Sequence, residues 1–96
     1  MVEVTEDMSG AERGAPHTPT QIMVAEIWEK VLDQGPFTLT DDFFEVGGHS
    51  LLATQVVSLI RRETGRRVPL RLLIEGPTLE EFANAVEVHF TSPSPS

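Results

Sequence analysis

Apolar residues recur at helical spacing in three stretches of this chain, and nowhere do they alternate convincingly as a strand requires. The first stretch holds Ile22, Ala25, Trp28 and Leu32, with Val24, Ile27 and Val31 widening the stripe. Thr18 is placed to cap it, Pro19 suits the first helical position, and Gln21 completes a capping box. Asp33-Gln34-Gly35-Pro36 stops it. A second helix is predicted from about Ser50 to Thr64, with Ala53, Val56, Val57 and Ile60 inward and Gly65 as its stop. A short helical turn from Pro69 to about Ile74 ends at Gly76-Pro77. Thr78 then caps a last helix, with Glu81 closing a second capping box and Leu79, Phe82, Ala83 and Val86 as the buried stripe. The pattern predicts an all-α fold: a small bundle of three main helices plus one short helix, without internal repeats.

Between the first two helices, Gly35 to about His49 forms a long connection. Loops of that length in compact domains are functional or pinned by their own side chains. Phe37, Leu39, Phe43, Phe44 and Val46 are candidate pins, so an ordered loop is expected, with Thr40 or Asp41 starting one short helical turn. Residues 1–17 mix Glu, Asp, Ser, Gly, Ala and Pro without an apolar period and read as a flexible leader. Residues 91–96 read as a disordered Ser/Pro tail. The folded domain is therefore expected at 18–90.

Ninety-six residues with 40% apolar and 23% charged side chains suit one small globular domain, stable by several kcal/mol at most. There is no cysteine, so the chain has no disulfide and no thiol of its own. The acidic opening, Met1-Val2-Glu3-Val4-Thr5-Glu6-Asp7, lacks the parts of a signal peptide. The longest apolar run, Ile22 to Ala25, is far too short for a membrane span. A cytoplasmic, monomeric protein without a membrane partner is expected. The formal charge is −8. Residues 1–60 hold ten acids against Arg13 and Lys30, whereas residues 61–71 hold five arginines against Glu63. That balance argues against nucleic acid and for basic protein partners, although acidity also serves solubility alone.

The candidate chemistry lies in Gly47-Gly48-His49-Ser50-Leu51-Leu52, preceded by Asp41-Asp42-Phe43-Phe44-Glu45. A serine directly after a Gly pair, where an amphipathic run begins, sits at the head of a helix. Free backbone N–H groups and the positive end of the helix dipole favour phosphate there. Gly47 and Gly48 leave a narrow approach, lacking side chains and tolerating positive φ. As a hydrolytic nucleophile Ser50 lacks a G-x-S-x-G elbow, because Leu52 occupies the second glycine position. His49 is adjacent in sequence, which does not bring its ring onto the hydroxyl. Asp41, Asp42 and Glu45 lack the spacing of a calcium loop and suit turns and caps. Spacing alone leaves two readings of Ser50 open, a helix cap and an attachment site.

The stretch resembles the core motif of peptidyl carrier proteins, the thiolation domains of nonribosomal peptide synthetases. The residues that carry the resemblance are Asp41 or Asp42, Phe43, Phe44, Glu45, Gly47, Gly48, His49, Ser50 and Leu51, with Val46 where Leu is more usual. It extends through Ile27-Trp28-Glu29-Lys30-Val31-Leu32, Pro69-Leu70 and Glu75-Gly76-Pro77-Thr78-Leu79. It implies an acyl-carrier-protein-like bundle that catalyses nothing itself. It also implies a 4'-phosphopantetheine arm, taken from coenzyme A and attached covalently to Ser50, with Gly48, His49 and Leu51 as flanking motif. The arm would hold an aminoacyl, aryl or peptidyl group as a thioester. The implied partners are a phosphopantetheinyl transferase, an adenylation enzyme and condensation, tailoring or thioesterase enzymes of secondary-metabolite biosynthesis. His49 before the serine leans towards peptidyl rather than polyketide or fatty-acid carriers. An unmodified helical adaptor is the alternative from another class. Met1 followed by a leader points to a free-standing carrier acting in trans, although an excised domain given an initiator would look the same.

Leu51 and Leu52 are candidates for a partner-facing apolar patch, with Leu52 expected towards the outer side of its helix and a place at the rim of the core as the alternative. Arg61 and Arg62, with Arg66, Arg67 and Arg71, are either a second docking surface or a solvated basic face.

Overall fold

The computed structural model describes residues 14–91. Its element order is α1 (Pro19–Leu32), α2 (Ser50–Thr64), α3 (Arg71–Glu75) and α4 (Leu79–Thr91). Of the leader expected at 1–17 and the tail expected at 91–96, residues 1–13 and 92–96 lie outside the described residues, while Thr91 is still helical and ends α4. The chain is tied to the fold ahead of residue 18, because the Gly14 carbonyl accepts from Leu39 N at 3.0 Å.

Helix α1 starts on the predicted capping box. Thr18 Oγ1 accepts from Gln21 N at 3.1 Å, and Gln21 Oε1 accepts from Thr18 N at 3.2 Å. That box turns the Gln21 side chain back over the helix start and buries it, so the inward register runs Gln21, Val24, Ala25, Trp28, joined by Ile27. Ile22, expected in the stripe, is one residue round the helix from Gln21 and is exposed. Val31 and Leu32 are half-buried against the core. Asp33 takes the left-handed conformation (φ 56°) and ends the helix, its N–H bonding Glu29 O at 2.8 Å.

Residues 33–49 then connect α1 to α2. Phe37, Leu39 and Phe43 are buried, and Phe44 and Val46 pack against the core. Trp28 lies edge-on to Phe37 (centroids 5.8 Å apart) and to Phe43 (5.1 Å), and Phe43 edge-on to Phe44 (5.3 Å). Each such pair adds about 0.5–1.5 kcal/mol beyond its buried area.

This connection also builds the start of α4. The first amides of any helix lack an internal acceptor. Here Leu79 N donates to Asp41 O and Glu80 N to Leu39 O, both at 3.0 Å, while Glu81 N donates to Thr78 Oγ1 at 3.1 Å. Thr78 N completes the box on Glu81 Oε1 at 3.4 Å, and Phe43 N bonds Pro77 O at 2.8 Å. An isolated antiparallel bridge, Asp42 to Thr78, marks the seam.

Ala53, Val56 and Ile60 of α2 are wholly buried, with Val57 half-buried, and Gly65 (φ 74°) caps the end. The short helix α3 starts at Arg71 rather than Pro69, since Pro69 and Leu70 form the turn whose carbonyls accept from Leu72 N and Leu73 N. Leu73 anchors α3 to the core, and Leu79, Phe82, Ala83 and Val86 of α4 close it. Helix α1 packs against both α2 and α4. No helix among the described residues is long and apolar enough to cross a membrane.

Candidate functional site

The approach to α2 is a tight turn organised by Asp42. Its Oδ1 accepts from Phe44 N at 2.8 Å and Glu45 N at 3.1 Å, and its carbonyl accepts from Val46 N at 3.0 Å. The short helical turn therefore starts at Asp42, not at Thr40 or Asp41, because only the Asp42 carboxylate reaches the two amides that follow. Asp41 instead bonds backward, accepting from Thr38 N at 2.8 Å. Among the described residues no group of three or more His, Asp or Glu is placed to hold a metal ion.

The two glycines have different reasons to be glycine. Gly47 sits at φ 115°, a backbone region that side chains resist. Gly48 has no positive φ; it lies flush on Phe43. A Cβ there would overlap the edge of the Phe43 ring and stand 2.7 Å from the Phe43 carbonyl, to which Gly48 N is already bonded at 2.9 Å. Beyond the narrow approach expected of both glycines, Gly48 has a packing reason of its own. Its smallness seats the loop on the aromatic core and so fixes where the next residues stand.

His49 is extended (φ −152°, ψ −179°) and occupies the N-cap position, without a side-chain cap bond. Ser50 is thus the first helical residue and not the cap. It is exposed, and its hydroxyl takes part in no hydrogen bond among the described residues, with the His49 ring or any other. The first bond inside α2 is Ala53 N to His49 O at 2.8 Å. The amides of Ser50, Leu51 and Leu52 have no acceptor among the described residues, unlike the capped starts of α1 and α4. An accessible hydroxyl beside unpartnered N–H groups at the positive end of a 15-residue helix fits a phosphate ester well.

Leu51 is 64% exposed. Leu52 is half-buried and packs against the core, which corrects its expected outward placement. At helical pitch, Leu52 lies within one turn of both Val56 and Ala53 and shares their side of α2. Exposed residues Leu51, Thr54, Gln55, Ser58, Arg61 and Arg62 instead form the outer stripe. Arg61 stands about 17 Å along the axis from Ser50. The five arginines do not act as one face. Arg66 donates to Phe90 O at 2.8 Å with its guanidinium 4.7 Å above the Phe90 ring, and Arg71 pairs with Glu75 at 3.6 Å. Arg61 and Arg62 have no acidic partner among the described residues.

Sequence reasoning missed three contributors: the Asp42 turn, the seat of Gly48 on Phe43, and a bond from the Gln34 side chain to the Val46 carbonyl. An aspartate followed by two loop amides is a readable local signal. The other two join separate segments and leave no local trace.

Residues 24–86 match the family model described as "Phosphopantetheine attachment site". The chain is 46% identical over 79 residues to a linear gramicidin synthase of Brevibacillus parabrevis, an alignment covering 82% of this chain and 2% of that protein. It therefore spans only a small fraction of such relatives. Among solved structures, it superposes with a TM-score of 0.73 and 36% identity on a chain from the complex of the phosphopantetheine transferase Sfp with coenzyme A and a peptidyl carrier protein, covering 78% of this chain and 97% of that one. An active-site mutant of a peptidyl carrier protein gives a TM-score of 0.76 at 32% identity, covering 88% and 93% respectively. With the family motif at the head of α2 and the same four-helix fold, the chain belongs to the phosphopantetheine-attachment family and is a peptidyl carrier domain of the kind found in nonribosomal peptide synthetases.

Proposed function

We propose that Ser50 is the attachment point for 4'-phosphopantetheine and that this domain carries amino, aryl or peptidyl building blocks in nonribosomal peptide biosynthesis in the cytoplasm. The observation that carries this reading is the exposed, unbonded Ser50 hydroxyl at an uncapped helix start. The arm supplies a thiol that the cysteine-free chain lacks, and holds cargo as a thioester. The residues of the chain do the rest. Ser50 would anchor the arm, Gly48 and Phe43 fix the anchor in place, and the unpartnered N–H groups of Ser50, Leu51 and Leu52 would serve the phosphate. The domain catalyses no step of its own; its tether raises the effective concentration of cargo at each partner. Its partners are a phosphopantetheinyl transferase, an adenylation enzyme, and condensation, tailoring or thioesterase enzymes.

The carrier class is tested by loading. After treatment with coenzyme A and a transferase, the protein is offered amino acids with ATP and adenylation enzymes, or malonyl-coenzyme A with an acyltransferase. Hydroxylamine-labile aminoacyl label is expected. Label from the malonyl donor alone would make this a polyketide or fatty-acid carrier, and no label from either would favour an unmodified adaptor.

Docking is assigned to the outer stripe of α2, led by Leu51 and ending at Arg61 and Arg62, with Leu52 contributing only its exposed edge. Leu51→Arg is expected to raise the KM of the transferase or adenylation step several-fold while stability stays within about 0.5 kcal/mol. Leu52→Arg should instead cost about 1–3 kcal/mol, because its side chain packs on the core. Thermal unfolding beside steady-state loading rates separates the two. Equal loss of stability in both variants would contradict the assignment. Neutralising Arg61 and Arg62 should weaken docking to acidic partners at low salt only.

A further inference from the structure

Gln34 follows directly on the residue that ends α1 and is exposed. Its Nε2 nevertheless donates to the carbonyl of Val46, twelve residues on. The same nitrogen lies 3.5 Å from where a Cβ on Gly47 would stand, so the carboxamide lies along the Val46–Gly47 peptide.

Backbone bonds hold that peptide only weakly: apart from Gln34, its one contact among the described residues is the Gly47 N–H to Phe44 O. On its upstream side, Asp42 fixes Phe44, Glu45 and Val46. On its downstream side, Gly48 is seated on Phe43. Between them Gly47 turns the chain at φ 115°, and its own N–H makes only a long contact of 3.4 Å to Phe44 O. A glycine at such a point rotates at little steric cost. Beyond it, His49 has no side-chain cap bond, and the next three amides have no acceptor among the described residues. The bond from Gln34 is therefore the side-chain contact that selects one orientation of the Val46–Gly47 peptide.

We propose that Gln34 is a positioning residue for modification at Ser50: by clamping the Val46 carbonyl it keeps the Gly47-Gly48-His49 segment preformed for the transferase. The proposal rests on the reading of Ser50 as attachment point. Freed from the clamp, the segment spends only part of its time in the competent arrangement, and apparent affinity falls by that fraction. One hydrogen bond of this kind corresponds to a loss of roughly three- to tenfold.

The test compares the full chain with Gln34→Met, similar in length but without a donor, and Gln34→Lys, which restores an N–H donor. Transferase kinetics with coenzyme A, amide exchange at Gly47, Gly48 and His49, and thermal unfolding are measured on each. Gln34→Met should lower kcat/KM about three- to tenfold, chiefly through KM, and quicken exchange at Gly47 and Gly48 by a similar factor. Its unfolding midpoint should stay within a few degrees of the parent. Gln34→Lys should recover most of both losses. An unchanged kcat/KM in Gln34→Met overturns the proposal, as does a slowed transfer with unchanged exchange, which would make Gln34 a direct contact of the transferase. Mapping the attached group on the parent protein separates the two readings. A group on Ser50 with Gln34 indifferent removes the clamp alone, and a group on another residue removes both.

Discussion

Gly48→Ala should unfold far more easily than the parent, losing about 2–3 kcal/mol, although it adds a single methyl group to a loop. Two neighbours leave that methyl no room. One is the edge of the Phe43 ring, and the other is the Phe43 carbonyl 2.7 Å away. The ring cannot move aside. It is fully buried and held between Trp28 at 5.1 Å and Phe44 at 5.3 Å, so a shift of Phe43 disturbs the whole aromatic cluster. Backing the loop off instead breaks the 2.9 Å bond from Gly48 N to Phe43 O. In a domain of this size the loss corresponds to a midpoint lower by roughly 10–20 °C. The cause is checked by a double-mutant cycle with Phe43→Leu, which makes space under residue 48. Circular dichroism melts should show the two substitutions coupling by at least about 1 kcal/mol, with the alanine costing less in the leucine background. Strict additivity would mean that the Phe43 contact is not what requires glycine.

Ser50→Ala should have the opposite profile: complete loss of loading with an intact fold. The serine side chain caps nothing and bonds nothing among the described residues, and alanine is a better helix former at that position. Stability should therefore change by no more than about 0.5 kcal/mol. Transfer of phosphopantetheine should disappear altogether, because the oxygen that forms the ester is gone. A fall in melting temperature comparable to that of Gly48→Ala would mean that Ser50 has a structural role, and residual loading at the parent rate would place the ester elsewhere. The pair of variants thus separates the seat of the site from its chemistry.

These two residues also show what the sequence made legible. Both capping boxes were readable because they are local: Thr18 with Gln21, and Thr78 with Glu81, each close within three residues. Helical periodicity placed Ala53, Val56, Ile60, Phe82 and Val86 inside. It failed at Ile22, where the capping box drew polar Gln21 into the core register; Leu52, four residues before Val56, shares the inner side by the same spacing although it was expected outward. The loop pins were legible as apolar residues in a polar stretch. What they build was not. The amides of Leu79 and Glu80 find their acceptors on Asp41 and Leu39, and Gly48 finds its reason in Phe43, only once the chain has folded back on itself. The serine stood out in the sequence, whereas the absence of a cap above it emerged only from the geometry of His49.

The central claim is that the Ser50 oxygen bears the prosthetic group, and site mapping on the unmutated protein tests it most directly. After incubation with coenzyme A and a promiscuous phosphopantetheinyl transferase, intact mass should rise by one phosphopantetheinyl group. Fragmentation of the peptide spanning Gly47 to Arg61 should then place that group on Ser50. No gain in mass, or a group found on Thr54, Ser58 or any other hydroxyl, would contradict the account.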